Sequence, residues 1–210
     1  MALPRRAALG ALLATAACAG PEEPPPAPAG PPSYSHLTPL RLAVGRIEIQ
    51  PATDAAATRV MPPAPLVPAD VVRIMAQERL SAAGGPGLAR FSTQIATLTR
   101  EPSAGGGVFT AATERLTCTM RCRIEIRAED GSPAGFAEAE VRRASVRPAG
   151  SPAERARAAE EIVRAAGNDL NVEFEFQLRR NLRAALAPAP GATPAAPPPA
   201  APSEPASIDL

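Results

Sequence analysis

The stretch that decides the fold is residues 115–127, RLTCTMRCRIEIR. Every even position from 116 to 126 holds an apolar residue, and every odd position holds a charged residue or a threonine. Alternation with a period of two is typical of an antiparallel strand that buries one face and exposes the other. The apolar positions are Leu116, Cys118, Met120, Cys122, Ile124 and Ile126. The pattern predicts a half-buried strand along the whole stretch.

A hairpin turn follows this strand, because Asp130-Gly131 has the composition of a tight β-turn. With these two residues at the centre of the turn, the numbers of paired residues sum to 261. The sum places apolar residues of the return strand opposite apolar residues of the first strand. These pairs are Ile124 with Ala137, Cys122 with Ala139 and Met120 with Val141.

The same register also places opposite charges across the hairpin. Arg123 lies opposite Glu138, and Arg121 lies opposite Glu140. Opposite charges directly across a strand pair contribute a few tenths to about 1 kcal/mol each. Both faces therefore support one register.

Upstream of the hairpin, the pattern predicts a strand, a helix and a second strand. Residues 37–50 read as one strand whose alternation slips by one at Gly45, the position of a β-bulge. After a proline-rich loop, residues 69–83 have helical periodicity and stop at Gly84-Gly85-Pro86. Residues 88–100 form the next predicted strand.

Downstream, Ser151-Pro152-Ala153-Glu154 has the form of a capping box with proline at the first helical position. A helix is expected from there to about residue 186, roughly 50 Å long. Because that length exceeds the needs of a compact domain of this size, Gly167-Asn168 is expected to break or kink it. Val172 and Phe176 lie off the main apolar stripe, either as a second core contact or as an exposed strip that meets a partner.

We therefore expect an α+β domain over residues 36–186. Its antiparallel sheet of about four strands packs on two helices, in the order β-α-β-β-β-α. Residues 187–210, rich in proline and alanine, are expected to be a disordered tail.

The N-terminus has the layout of a secretory signal peptide over residues 1–17. Arg5 and Arg6 precede an uncharged run, AALGALLATAA, that is much shorter than the roughly 20 residues of a membrane-spanning helix. Thr15-Ala16-Ala17-Cys18 resembles the bacterial lipobox, in which the cysteine is acylated and becomes the first mature residue. Threonine stands where that pattern favours leucine, so ordinary cleavage after Ala17-Cys18-Ala19 is the alternative.

Acylation of Cys18 would make residues 18–35 a lipid-anchored tether, since this segment is rich in proline and has little apolar bulk to bury. The resemblance implies an outer-membrane anchor facing the periplasm, because Ala19 is not the aspartate that retains lipoproteins at the inner membrane. The alternative is a soluble periplasmic protein.

Composition argues against a nucleic-acid partner. Removing Arg5 and Arg6 from the 22 basic residues leaves 20 against 21 acidic residues, so the mature chain lacks a basic excess. Aromatic residues make up 3% of the chain, too few for base-stacking platforms.

We expect no catalytic, cofactor-binding or metal-binding residues, and hence no enzyme. The single histidine, His36, lies beside the proline-rich segment, and Glu138 and Glu140 are explained by their arginine partners. Cys118 and Cys122 lie four positions apart on one strand, roughly 13 Å, whereas a disulfide needs α-carbons within about 7 Å. We expect two buried free thiols.

The order of elements behind a lipobox resembles two groups of small periplasmic lipoproteins. One is the lipopolysaccharide-assembly lipoprotein that plugs an outer-membrane barrel, and the other comprises auxiliary lipoproteins of envelope ABC-type lipid transport. The resemblance implies a non-catalytic binding or assembly component of the cell envelope, with an envelope protein or lipid carrier as partner. The alternative is a soluble periplasmic module that binds a small apolar ligand between sheet and helices.

Overall fold

The computed structural model describes residues 30–103 and 112–188. The predicted α+β class, with two helices and a four-stranded sheet, is confirmed. Short 3₁₀ turns lie at Ala56–Thr58 and Arg183–Ala185. The main elements are β1 (Leu40–Leu42), β2 (Arg46–Gln50), α1 (Pro68–Arg79), β3 (Leu80–Ala82), β4 (Leu88–Ser103), β5 (Thr113–Arg127), β6 (Pro133–Pro148) and α2 (Pro152–Asn181). The predicted signal peptide, most of the tether and nearly all of the C-terminal tail lie outside the described residues.

The large sheet has the strand order β2-β4-β5-β6. Strands β4, β5 and β6 are antiparallel as predicted, but β2 pairs with β4 in parallel, so the sheet is mixed. The chain passes through α1 between these two strands, and such a crossover connection delivers the second strand in the same direction as the first. Strands β1 and β3 form a separate two-stranded parallel sheet.

The prediction of one bulged strand over residues 37–50 is wrong, because β1 and β2 belong to different sheets. Gly45 does mark the break. Its N–H donates to the carbonyl of Gly87 at 3.1 Å, and a Cβ at this position would lie 3.0 Å from the carbonyl oxygen of Gly85. The glycine therefore permits two chain segments to pass close together.

Helix α1 ends at Arg79, earlier than the predicted end at residue 83. Leu80 adopts an extended conformation and pairs with Leu40, so the chain passes directly from helix to strand. Leu80 is buried in this strand. Pairing with β1 has overridden the helical periodicity of the sequence.

The predicted hairpin register is confirmed, although the turn differs. Ile124 pairs with Ala137, and Arg123 pairs with Glu138. The turn has three residues, since the N–H of Ala128 donates to the carbonyl of Ser132 and Gly131 has a φ of 82°. This turn places Arg127 opposite Pro133, and their residue numbers sum to 260. A register shift between Arg127 and Ile126 then places Ile126 opposite Gly135, which restores the predicted sum of 261. The two departures cancel.

Helix α2 begins with the predicted capping box at Ser151 and Glu154. It runs without interruption through Gly167, so the predicted break is wrong. Strands β4, β5 and β6 have 15 or 16 residues each, roughly 50 Å at 3.3 Å per residue, and they match the length of the helix. The domain is elongated enough to use the whole helix.

Gly167 serves close packing between the helices. A Cβ at this position would lie 2.4 Å from Cγ1 of Val71 on α1 and 2.7 Å from the hydroxyl of Tyr34. Both neighbours are buried. The glycine thus allows α1, α2 and the segment around Tyr34 to meet.

Gly167→Ala should destabilise the protein by about 1–3 kcal/mol, because overpacking outweighs the gain in helix propensity. The matched control is Asn168→Ala, an exposed change on the next residue that should be neutral or slightly stabilising. Urea denaturation measures both. A Gly167→Ala variant as stable as Asn168→Ala would contradict this account of the glycine.

One arginine is buried between the helices. Arg79 is 2% exposed, its Nε donates to Oδ1 of Asn171 at 2.8 Å, and its other nitrogens bind the Thr38 carbonyl and Glu175. Arg79 occupies a position of the apolar stripe of α1. Its three partners link α1, α2 and the chain before β1.

Arg79→Ala should cost about 3–5 kcal/mol of unfolding free energy, because Asn171 and Glu175 would lose their buried partner. Arg73→Ala on the same helix removes an exposed pair with Asp70 and should cost less than about 1 kcal/mol. Chemical denaturation distinguishes the two. If Arg79→Ala lowered the free energy of unfolding no more than Arg73→Ala does, the buried hydrogen bonds of Arg79 would add no more stability than an exposed ion pair.

Candidate interaction surface

The large sheet is covered by helices on one face only. Apolar side chains of β4 and β5 point toward α1 and α2, and Phe91 meets Phe174 edge to face at 5.6 Å between ring centroids. The opposite face carries the other set of alternating side chains. We call its arginines and glutamates the charged ladder: Arg46, Glu48, Arg90, Arg121, Arg123, Glu125, Arg127, Glu138 and Glu140.

The predicted cross-strand ion pairs are present in the charged ladder. Arg123 lies 3.5 Å from Glu138, and Arg121 lies 3.7 Å from Glu140. Further contacts run diagonally and along strands, from Arg121 to Glu138 and from Arg123 to Glu125 at 2.8 Å. Four central members of the ladder therefore have two counter-charges each: Arg121, Arg123, Glu125 and Glu138.

The charged ladder continues to the other edge of the sheet. Glu48 of β2 lies 3.3 Å from Arg46 and 3.5 Å from Arg90 of β4. At the β6 side, the guanidinium of Arg123 lies 3.8 Å above the ring centroid of Phe136. Phe136 is 51% exposed. An exposed aromatic ring held by a cation is well suited to meet a partner.

A polar cleft of about 600 Å³ lies where the charged ladder meets the loop after β2. Carboxylates, guanidinium groups and amides from the loop and all four strands of the large sheet line it. The principal polar side chains are Gln50, Asp54, Arg90, Gln94, Arg123 and Glu138. The cleft gives the flat sheet face a concave margin.

A second, more apolar cavity of about 640 Å³ lies at the end of the domain near the hairpin turn. Its walls come from the turn, the residues after α2 and the loops beside β1 and β4. The apolar residues are Ala43, Pro86, Ile126, Ala128, Ala134, Leu182, Ala184 and Ala185. Its volume is within the range of small-ligand sites.

The predicted free thiols are confirmed. Cys118 and Cys122 are both free and fully buried on the helix side of β5. Burial raises the pKa of Cys118 to about 12, and it also raises the pKa of Cys122. These thiols pack as small apolar groups.

The structure places the other candidate residues as follows. His36 is exposed, and Glu138 and Glu140 have the arginine partners described above. Within residues 30–103 and 112–188, no three histidine, cysteine, aspartate or glutamate side chains converge to hold a metal ion. Cys18, the predicted acylation site, lies outside the described residues.

The chain enters the domain on the helix layer, ahead of the predicted domain boundary at residue 36. Tyr34 is buried at 2% exposure beside Gly167 and Val71. The backbone N–H of Tyr34 donates to Glu78, and Arg164 donates to the carbonyl of Gly30 at 2.8 Å. The last residues of the predicted tether, from Gly30 on, are therefore part of the folded domain and are fixed on the side opposite the charged ladder.

Sequence reasoning missed this docked segment and the buried position of Arg79. A signal existed for Arg79, because it continues the stripe formed by Val72, Met75 and Ala76. No local signal existed for Tyr34, since its pocket is made by residues far away in the chain.

The fold and this surface define a two-layer α+β domain with an open, charged sheet face. No family model and no curated protein matches the chain. Among the described residues, neither helix combines the length and apolar character that a membrane span requires.

Three solved structures are similar to the chain. A minor lipoprotein from Acinetobacter baumannii is 14% identical over 68% of this chain and 96% of that one, with a TM-score of 0.38. The uncharacterized lipoprotein B from Nitrosomonas europaea is 12% identical over 67% and 86%, with a TM-score of 0.35. A protein from Xanthomonas campestris is 13% identical over 68% and 91%, with a TM-score of 0.30.

Alkaline pH should destabilise the domain through its buried thiols. Between about pH 9 and about pH 12 the thiols ionise in the unfolded chain but stay protonated in the fold, so the unfolded state binds fewer protons and stability falls. The slope for each thiol should approach about 1.4 kcal/mol per pH unit above about pH 10 and should average about half of that between pH 8 and pH 10. The chain has no lysine, and Tyr34, whose pKa burial raises to about 12, acts in the same direction only above about pH 10.

Urea denaturation from pH 8 to pH 10 measures this slope. The Cys118→Ala/Cys122→Ala variant should be less stable overall but should show a flatter dependence on pH. An unchanged slope in that variant would contradict the assignment to the two thiols.

Proposed function

We propose that this chain is a lipid-anchored, non-catalytic binding or assembly component of the bacterial cell envelope. Cys18 would carry the acyl anchor in the outer membrane, facing the periplasm, and the charged ladder would dock an envelope protein or a lipid carrier. The observation that carries the proposal is a sheet covered on one face only, with an ordered mosaic of charges on the other.

The arrangement of the charged ladder supports docking. Its ion pairs are partly exposed, so each contributes little to folding stability. Complementary charges across an interface give specificity and speed association. Because its charges stay partly exposed, a face of alternating arginine and glutamate can recognise a charged partner while its ion pairs support the strand register.

The entry point of the chain supports the same orientation. Tyr34 and the backbone at Gly30 attach to the helix layer, so a membrane anchor ahead of them would join the domain from that side. The open sheet face would stay accessible to a partner.

Cys18→Ala in the full-length chain should release the protein from the membrane fraction of a Gram-negative host, because the acylated thiol would be lost. Cys118→Ala is the matched control and should remain with the membrane. Cell fractionation and the mass of the mature N-terminus measure the result. A mature chain that begins at Met1 with an unmodified Cys18 would refute the anchor.

Docking can be mapped with photo-cross-linking residues in intact cells. A probe at Gln94 or Arg115, both on strands of the open sheet, should trap one dominant envelope partner. A probe at Arg73, an exposed position of α1, should not. Equal trapping from α1, or no partner from either sheet position, would contradict docking through the charged ladder.

The second candidate function is binding of a small apolar ligand, favoured by the cavity of about 640 Å³. It lies at the end of the domain, whereas the space between sheet and helices is filled by buried side chains. Native mass spectrometry should then reveal a stoichiometric ligand that Ala134→Phe removes. A ligand-free mass for the wild-type protein from cells would contradict this function.

A further inference from the structure

Strand β6 is the edge of the large sheet. Its strand partner in the described part of the chain is β5 alone. It extends over 16 residues, roughly 50 Å, and its two prolines, Pro133 and Pro148, stand at the ends. The outer N–H and C=O groups of such an edge are a template for another strand.

The charge distribution along β6 favours a copy of itself as that strand. Glu138 and Glu140 lie in the first half, and Arg142, Arg143 and Arg147 lie in the second half. An antiparallel copy would bring the acidic half of one strand beside the basic half of the other. A parallel copy would place like charges side by side.

In one register of such a pair, complementary side chains lie opposite each other on the outward face of the sheet. When paired residue numbers sum to 282, Glu140 lies opposite Arg142 of the second copy, and Phe136 lies opposite Val146. These two apolar residues are 51% and 60% exposed in the monomer. Val141 then lies opposite its own copy, on the twofold axis.

The neighbouring registers are unfavourable. Only even sums keep outward residues opposite outward residues, because side chains alternate with a period of two. A sum of 280 places Glu140 opposite itself, and a sum of 284 places Arg142 opposite itself. Like charges directly opposite destabilise a strand pair.

The helix side of the sheet accepts the same register. Arg143 would lie opposite Ala139, and Arg147 would lie opposite Gly135, so a long side chain always meets a small one. In the monomer these arginines bind α2, where Arg143 Nη2 lies 3.1 Å from Asp169 and Arg147 lies 2.7 Å from Glu161. No arginine is forced against another.

These ion pairs also fix the level of α2 along β6. Val141 lies two residues from Arg143 along β6. The helix covers the same distance in roughly four residues, counted from Asp169 toward its C-terminus. That point lies between Val172 and Phe176, which are 68% and 54% exposed. Phe176 follows Asp169 by two helical turns and therefore lies on the side of α2 that faces β6.

From these observations we infer that a second copy of this chain pairs with the β6 edge, so that two four-stranded sheets become one sheet of eight strands. The interface is isologous. Its centre contains Val141, flanked by the Glu140–Arg142 pairs on one face and by Val172 and Phe176 of both copies on the other. The charged ladder becomes continuous across the twofold axis.

A cysteine on the axis tests the inference in the full-length chain. Opposed residues of an antiparallel pair have α-carbons about 4.5–5.5 Å apart, within disulfide range. Val141→Cys should therefore give a disulfide-linked dimer under mild oxidation, seen on a non-reducing gel. Ala144→Cys is the matched control. In the proposed register, position 144 lies opposite position 138 of the second copy, so the two thiols are six residues, about 20 Å, apart and no disulfide-linked dimer should form.

Charge swaps test the register. In the Val141→Cys background, Glu140→Arg or Arg142→Glu should lower dimer formation by about tenfold or more, because two like-charge pairs arise at the axis. The double swap should restore it, which a mere folding defect would not allow. Equal yields from Val141→Cys and Ala144→Cys, or no rescue by the double swap, would overturn the inference.

Sedimentation velocity of the wild-type chain provides an independent measurement. A dimer that dissociates on dilution is the expected result. A monomer at high micromolar concentration would overturn the inference, whatever the outcome of the envelope cross-linking.

Discussion

Burial on one side of β5 is the constraint on which the rest of the structure depends. Its even residues are packed against α1 and α2, and its odd residues carry charges that need water or counter-charges. A shift of one residue in the pairing would exchange the two sets and place arginine and glutamate in the core. Because β5 is central, both β4 and β6 must take the register that keeps this separation.

The length of β5 determines the shape of the domain. Three strands of about 50 Å need an equally long cover, and α2 provides it without a break. Gly167 lets α1 and Tyr34 approach the middle of that helix. Arg79 then joins both helices and the chain before β1 through buried hydrogen bonds. Close packing at Gly167 and the hydrogen bonds of Arg79 thus fix the helix layer in place, whereas no helix covers the opposite face of the sheet.

Local sequence predicted what depends on neighbouring residues. The alternation of β5, the hairpin register and the capping box at Ser151 were all correct, since each rests on contacts between residues close in the chain. The charged pairs of Arg121 and Arg123 followed from the register alone. The cleft beside Asp54 and the cavity beside Leu182 were not predictable, because each is assembled from segments far apart in the chain.

The sequence by itself determined which face of β5 is buried, the order of elements from β4 to α2, and that the two thiols lie buried and unpaired. Only the tertiary structure decided that β1 and β2 separate, that α1 ends at Arg79, that β2 pairs in parallel and that α2 is continuous. The physical reason is that periodicity reports whether a residue is buried. It does not report which distant backbone pairs with it, as in the pairing of Leu80 with Leu40, or which distant side chain requires a glycine, as Val71 does at Gly167.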